Sequence, residues 1–425
     1  MSDRQSPSQK TVAIVDPVST GVYLAAEFAL HGWTSVAVHS GNSPKHYAKQ
    51  VRREDFTAHV EVSDDASLEQ ATRILAGMGV ARVVPGSEFG VDLAERLGEA
   101  LELPGNVPLA GRPRRDKGAM ASRAAAAGLS VPRSQLVTSR AEVSGALDRV
   151  GFPCVVKPVA SAGSQGVSFC FRRDEVQAVV DRLLGTQDAF GQPIDALLLQ
   201  EQLTGQQYFV NAVSSAGEHL VHEIWQDDRM EHAGHPLYDR QILLPAEGAL
   251  QQEIAAFVRA VLDAVGIREG ASHTELFRGP RGCVLVEVGA RLEGGVTPQA
   301  PLAATGTNQV ALLAESITDP ASFRARIGHA RPLRRHLMVV VLAAAGDAVV
   351  DAAGLAAVRA LESVPEGFGT SFAAGDEVRE TVDLFSSPGH VNLLADSLAQ
   401  LEQDCATIRE LESRASGGLY RWAKS

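Results

Sequence analysis

Two glutamates and an arginine stand in one short stretch, HTELFRGPRGCVLVEVGARLEGG (273–295): Glu275, Glu287 twelve residues on, and Arg291 four residues after that. The segment alternates as two apolar strands around the turn GPRGC (279–283). With those five residues as the loop, Arg278 faces Val284 and Glu275 faces Glu287 across an antiparallel hairpin. Directly opposed residues have Cβ atoms about 5 Å apart. Two carboxylates that close repel unless a cation lies between them. Hard oxygen ligands suit Mg²⁺, which takes one or two carboxylates and completes its shell with phosphate oxygens and water. A slip of one residue would set Glu275 opposite Val286 and remove the pair. Period-two alternation continues the acidic face through Gly289 to Arg291, where a guanidinium can hold a phosphoryl group or a developing oxyanion. Gly294 and Gly295 would leave backbone N–H groups exposed for the same purpose. The plain alternative is a solvent-facing edge hairpin, with Arg291 bridged to Glu293.

Phosphate chemistry is suggested elsewhere in the chain. VVKPVASAGSQGV (155–167) delivers Lys157 on a strand and follows it with a loop holding Ser161, Gly163, Ser164, Gln165 and Gly166. Small residues let backbone N–H groups approach a phosphate, and serine hydroxyls add donors. The loop lacks the GxxxxGK[ST] pattern and is not a P-loop; taken alone it equally fits a surface hairpin. Lys117 lies on a helix about forty residues earlier. Only six of the 39 cationic side chains are lysines, at 10, 45, 49, 117, 157 and 424, and a compact ammonium suits a triphosphate. LLLQEQLTGQQYF (197–209) runs from apolar to polar beside a hairpin, a cradle for a purine. There the backbone near Gln202 and Leu203 would read the adenine edge, and Glu201 would accept from its amine. A solvated strand end is the alternative.

These residues need a framework. TVAIVD (11–16), TSVAVHS (34–40), AHVEV (58–62) and ARVVPG (81–86) alternate with helical patterns at about 20–31, 67–78 and 88–101, which predicts a parallel α/β sheet with Rossmann-like connectivity. The loop after the first strand, DPVSTG, is no GxGxxG, which argues against a dinucleotide site. A helix over 115–127 stops at Gly128. A helix at 140–149, strands at 154–158, 167–171 and 196–203 with a helix at 174–185, and a hairpin 207–213/219–225 follow. An amphipathic helix spans 252–267. Strands at 336–345 and 378–384 and a helix at 392–412 complete the chain. The expected division is 1–112, 113–315 (small lobe about 117–205) and 316–425.

With 425 residues and 45% hydrophobic content there is enough chain for several cores. A net charge of −12 argues against nucleic acid and anionic membrane as partners. The four cysteines form no CxxC pair, which points to reduced thiols in a cytoplasmic protein. The polar N-terminus MSDRQSPSQK has no apolar signal-peptide core.

In order, Lys117, Lys157, Glu201, Glu275, Glu287 and Arg291 resemble the ATP-grasp superfamily, an α/β fold with a Rossmann-like N-terminal domain and a C-terminal closing domain. The segment from GIREGASHTELF through VLVEVGARLEGG is similar to its carboxylate–amine ligases, especially bacterial L-amino acid ligases. The resemblance implies that Lys117, Lys157 and the 161–167 loop bind the phosphates of ATP, that Glu201 sits at the adenine hinge, and that Glu275 and Glu287 hold Mg²⁺, with Mn²⁺ as an alternative. Arg291 would stabilise an acyl phosphate and the tetrahedral intermediate. The activity implied is ADP-forming amide synthesis from small-molecule carboxylate and amine substrates, with a homodimer left open. Three positions depart from the family pattern: Gln207 where an acid commonly meets the ribose, Gly289 where Asn is common, and Glu293 where His is common. His222, Trp225, Tyr238, Asp239, Gln241, His273 and Glu293 would face the acceptor. Three other readings stay open: a ligase for a natural-product or carrier-bound substrate, a bicarbonate-using carboxylase, and a nucleotide-binding regulator without turnover.

Overall fold

The computed structural model describes residues 10–44, 47, 49–110, 112–159, 166–187, 193–232, 235–329 and 332–422. The first four apolar runs form a parallel sheet in the order β3-β2-β1-β4 (β1 Thr11–Val15, β2 Thr34–His39, β3 Ala58–Glu61, β4 Val80–Pro85). Helices α1 (Leu24–Leu30), α2 (Asp65–Gly77) and α3 (Val91–Ala100) pack with it. β1 is buried along its whole length, as a near-continuous apolar run in a parallel sheet should be. Asp64 and Ser67 form a reciprocal capping box at the start of α2. At the carboxyl ends of β1 and β4 the chain passes very close to itself. A Cβ on Gly21 would strike the Gly86 backbone, and one on Gly90 the Val15 carbonyl. Glycine at these points lets two loops stack backbone to backbone, and the loops carry Ser19 and Glu88.

Helix α4 (Lys117–Ala126), capped by Asp116 accepting from the Ala119 N–H at 2.8 Å, leads into a four-stranded sheet, β5-β8-β6-β7. Its strands are β5 (Ser134–Val137), β6 (Cys154–Pro158), β7 (Ser168–Cys170) and β8 (Leu197–Glu201). Helices α5 (Val143–Val150) and α6 (Arg173–Leu183) bury Val143, Leu147, Val176 and Val180 with the sheet's Val156, Leu197 and Leu199.

The largest sheet has seven antiparallel strands in the order β13-β12-β9-β10-β11-β14-β17. They are β9 (Gln206–Ser215), β10 (Glu218–His232), β11 (His235–Leu243), β12 (Gly270–Gly279), β13 (Gly282–Gly289), β14 (His336–Val341) and β17 (His390–Ala395). Helix α7 (Ala249–Ala264) covers it with Ile254, Val258, Val261 and Leu262. Short helices α8 (Gln299–Thr305), α9 (Gln309–Thr318) and α10 (Pro320–Ala325) follow, and α9 packs against α1. A small sheet, β16-β15-β18 (β15 Ala348–Val350, β16 Glu377–Val378, β18 Tyr420–Trp422), with α11 (Ala352–Arg359) and α12 (Leu398–Ser413), closes the C-terminal third.

Several elements differ from the sequence expectation. The helix expected from 392 starts at Leu398, because VNLLA (391–395) pairs as β17 and Ser397 caps α12. The strand expected over 378–384 pairs only at Glu377–Val378. Beyond it the chain makes a turn held by Asp383 and Ser386, whose side chains bond each other's backbone N–H groups at 2.8–2.9 Å. The hairpin expected to end at 225 runs on through β10 and β11, whose alternating charges conceal a strand.

Candidate active site

The acid hairpin is built with one more device than its sequence suggests. Gly279 pairs with Gly282, so the turn is Pro280–Arg281, and Arg278 opposes Cys283 rather than Val284. That register alone would put Glu275 out of step with Glu287. A bulge between Leu276 and Glu275 inserts Val286 as an extra residue, and Glu275 meets Glu287 after all. The pair belongs to a row across four strands, Trp225–Phe209–Glu275–Glu287. The next row on the same face is Glu223–Asn211–His273–Gly289.

Two cations come to the acids from other elements. Lys117 Nζ lies 2.9 Å from Glu287 Oε2. Lys157, in β6, is 7% exposed. Burial and then the neighbouring Lys117 push its ammonium down to about 8, against the pull of Glu287 and Glu275. Burial pushes the Glu275 carboxyl up, but His273, Arg229 and Lys117 outweigh it and hold it below its ordinary value. Gln207 Nε2 donates to Glu275 Oε2 at 3.4 Å.

A cavity of about 660 Å³ opens on one side of the acid pair. Lys117, Lys157, Glu201, Gln202, Leu203 and Gln207 all line it, with apolar walls from Val155, Phe169 and Phe277. Glu201 differs from expectation. Its carboxylate accepts from the Arg133 backbone N–H (3.0 Å), the Arg133 guanidinium (2.9 and 3.0 Å) and Arg281 (2.8 Å). These contacts tie the strand end to two neighbouring loops and leave both oxygens of the Glu201 carboxylate already bonded. Gly166 has φ +70, with the Pro158 ring 3.0 Å from where its Cβ would be. Ser161, Ser164 and Gln165 lie outside the described residues.

On the other side is a cavity of about 450 Å³, in which Glu275, Glu287 and Arg291 meet residues from distant parts of the chain. Arg291 Nε donates to Glu88 Oε2 at 2.8 Å, and Arg115 pairs with the other oxygen of Glu88. Burial pushes the Glu88 carboxyl up, yet the two guanidiniums outweigh it and bring it down to about 2. The surface bridge to Glu293 is therefore not the one Arg291 makes. A Cβ on Gly289 would lie 3.2 Å from Glu88 Oε2 and 3.3 Å from Arg291 Nε, so the Glu88–Arg291 pair occupies the space a larger residue would need.

Of the glycine pair, the Gly295 N–H is already engaged. Gly295 N–H donates to Glu293 Oε1, and Val296 N–H donates to Glu293 Oε2 at 2.6 Å. The Gly294 carbonyl accepts from Ser19 Oγ at 3.0 Å. Glu293 thus caps its own loop while lining the cavity. Tyr238, Gln241 and His273 also line this cavity. Asp239 lines the other one and is bound by Arg409 at 2.7 Å. His222 and Trp225 line neither, because both are buried in the sheet.

Residues the sequence reading missed stand where the cavities join. Asp227 lines both. Burial raises its carboxyl to about 6, opposed by Arg229. Arg229 donates to Asp227 at 3.0 Å and lies over the Tyr238 ring, 3.4 Å from its centroid. Their signal was the alternation of QDDRMEH (226–232) at the end of an apolar strand. Glu88 was foreshadowed only by its place just past the carboxyl end of a parallel strand, where open α/β sheets gather ligands.

The sequence of residues 150–299 matches the family model described as an ATP-grasp domain. The fold of a crystallised L-amino acid ligase from Bacillus licheniformis covers 95% of this chain and 98% of its own, with a TM-score of 0.75 at 19% identity. Over residues 150–299 the chain therefore carries an ATP-grasp domain. Among curated relatives, the chain is 29% identical over 410 residues to dapdiamide A synthase of Enterobacter agglomerans, covering 96% of each. N5-carboxyaminoimidazole synthetase from Staphylococcus aureus, crystallised with ADP, shares the fold over 93% of this chain and 96% of its own, at a TM-score of 0.67 and 13% identity. Among the described residues no helix is long and apolar enough to cross a membrane.

Proposed function

We propose that this protein is an ADP-forming ligase that moves the γ-phosphoryl group of ATP onto a carboxylate of an amino acid and passes the acyl group to an amine, giving an amide. In this reading 1–112 and 316–425 close on a core spanning 113–315. The observation that carries it is the direct pairing of Glu275 with Glu287 where the two cavities meet, with Lys117 and Lys157 beside it.

ATP lies in the larger cavity, its base between Val155, Phe169 and Phe277 and against the backbone of Glu201, Gln202 and Leu203. Lys117 and Lys157 hold its phosphates. Gln207 faces the ribose as a weaker acceptor than an acid. The two glutamates offer hard carboxylate oxygens and no sulfur or nitrogen, a donor set that fits Mg²⁺ when phosphate oxygens and water complete the shell. Bound there, Mg²⁺ would neutralise charge on the transferring phosphoryl group. Ser161, Ser164, Gln165 and Gly166 belong to the loop assigned to the β- and γ-phosphates.

The acceptor side positions the second reactant. Arg291, oriented by Glu88, faces the carbonyl oxygen as it takes on charge. A carboxylate is a poor electrophile, whereas its acyl phosphate has a good leaving group. Holding the amine within reach supplies most of the rest. Tyr238, Gln241, His273 and Glu293 frame the space for it.

The experiment is phosphate release from ATP and Mg²⁺ with pairs of amino acids. Release that needs both partners is the expected result. Tight ATP binding with no release for any carboxylate would overturn the assignment in favour of a regulator. An amino acid as reactant is supported by the names of two proteins matched over nearly the whole chain, dapdiamide A synthase and an L-amino acid ligase.

A further inference from the structure

Glu223 is 2% exposed in the middle of the largest sheet and has no part in the mechanism above. A buried carboxylate needs donors, and this one has them. Asn211 Nδ2 donates to its Oε2 at 2.7 Å and Trp225 Nε1 at 3.0 Å, while His222 Nε2 lies 3.3 Å from Oε1. Burial pushes the Glu223 carboxyl up, but His222, Trp225 and Asn211 outweigh it and hold it below its ordinary value. His222 reaches it because of a second bulge. Val221 pairs with Ala212 and Glu223 with Asn211, so His222 is the extra residue and packs inward with its neighbour.

The next member of the row is decisive. A carboxylate accepts, so the amide nitrogen of Asn211 must face Glu223 and its carbonyl oxygen must face the other way. That oxygen lies 2.9 Å from His273 Nδ1. Facing an acceptor, Nδ1 must carry the hydrogen. The other ring nitrogen, Nε2, then points along the strand to Glu275 Oε1 at 3.6 Å and toward the acceptor cavity. Phe209 packs on the same ring, with centroids 5.3 Å apart.

We propose that Asn211 and Glu223 are positioning residues: they fix the ring of His273 with Nδ1–H turned into the sheet and Nε2 turned to Glu275 and the acceptor cavity. The ring limits the rotation of the Glu275 carboxylate and keeps it facing Glu287. A buried polar row thereby supports the acid row beside it, as outer hydrogen bonds orient ligating groups elsewhere. The consequence for catalysis rests on the role assigned to Glu275, whereas the ring assignment stands without it.

The test is ¹⁵N NMR of the full chain labelled at histidine, with the His273 signals identified by their loss in His273→Gln. The expected result is a hydrogen on Nδ1, bonded to the Asn211 side chain. Asn211→Leu should remove the hydrogen bond at Nδ1 and shift that nitrogen's signal, raise the Mg²⁺ concentration needed for nucleotide binding, and lower kcat by about 10-fold. Glu223→Gln should keep the wild-type ring form, because its amide oxygen still accepts from Asn211. Wild-type His273 protonated at Nε2 alone would overturn the proposal without any variant. So would a folded Asn211→Leu protein with unchanged Mg²⁺ requirement and kcat. Absence of phosphate release with every carboxylate would sink the ligase assignment and leave the ring result readable.

Discussion

The two cavities that meet at Glu275 and Glu287 are built in opposite ways. The nucleotide side draws nearly all its groups from one stretch, Lys117 to Glu287, carried on strands and one helix start. The acceptor side is assembled from far apart: Ser19 and Glu88 on N-terminal loops, Arg115, Arg291, a C-terminal loop with Leu384 and Phe385, and His390 at the start of β17. On the first side charge meets apolar walls. Opposite charges are paired on both sides, Glu201 with Arg133 and Arg281 on the first and Arg291 and Arg115 with Glu88 on the second.

Substitutions can break that contrast. The largest effect is expected at the junction. Glu287→Ala should lower turnover by about 100-fold or more, measured by phosphate release, with the melting temperature little changed, since Glu287 is partly exposed. Lys157→Ala should come next, weakening ATP binding sharply by calorimetry while leaving the KM of the carboxylate close to wild type. Its pH dependence has a definite sign. The free enzyme's ammonium titrates at about 8, and phosphates bind its protonated form, so kcat/KM for ATP should be flat below about pH 8 and fall above it. Lys157→Ala should lose that limb. In the same window the folded chain binds fewer protons at this site than the unfolded one, so this group's effect is to make stability rise with pH from about 8 to its ordinary value of 10.5.

A smaller and opposite pattern is expected on the acceptor side. Gly289→Asn would drive a side chain into Glu88 and Arg291. The KM of the carboxylate should rise about 10-fold with ATP affinity unchanged, because a misplaced positioning group costs rate and binding locally. If Gly289→Asn instead weakens ATP, the two sides are not separate. The smallest effect belongs to Leu384→Ala. This side chain is 37% exposed and lines both cavities. A partial loss of apolar contact should shift the acceptor's KM about threefold, read from initial rates with an apolar amino acid.

The same contrast explains what could be read from the chain. Lys157, Glu275 and Glu287 announce themselves because they interrupt apolar runs on regular strands, where period-two alternation fixes the face. Even there the turn was misjudged by one residue, and the bulge at Val286 compensated for it. Glu88 and Arg115 carry no such pattern. Glu88 pairs with a residue 203 positions away, a contact set by the packing of separate layers rather than by local sequence. Asp227 and Arg229 fell between, on a strand whose charges mimic a loop. Glu293 and Gly295 show a different limit, since a polar group's partner inside a tight turn depends on geometry that residue types do not fix. The cytoplasmic expectation rests on sequence alone.

If a carboxylate is activated by phosphoryl transfer at the acid pair, one of its oxygens must leave with the phosphate. With ¹⁸O in the carboxylate substrate, one labelled oxygen should appear in the released phosphate for each amide formed, and Glu287→Ala should abolish both together. Amide formation with unlabelled phosphate, or with the label in AMP, would contradict the account.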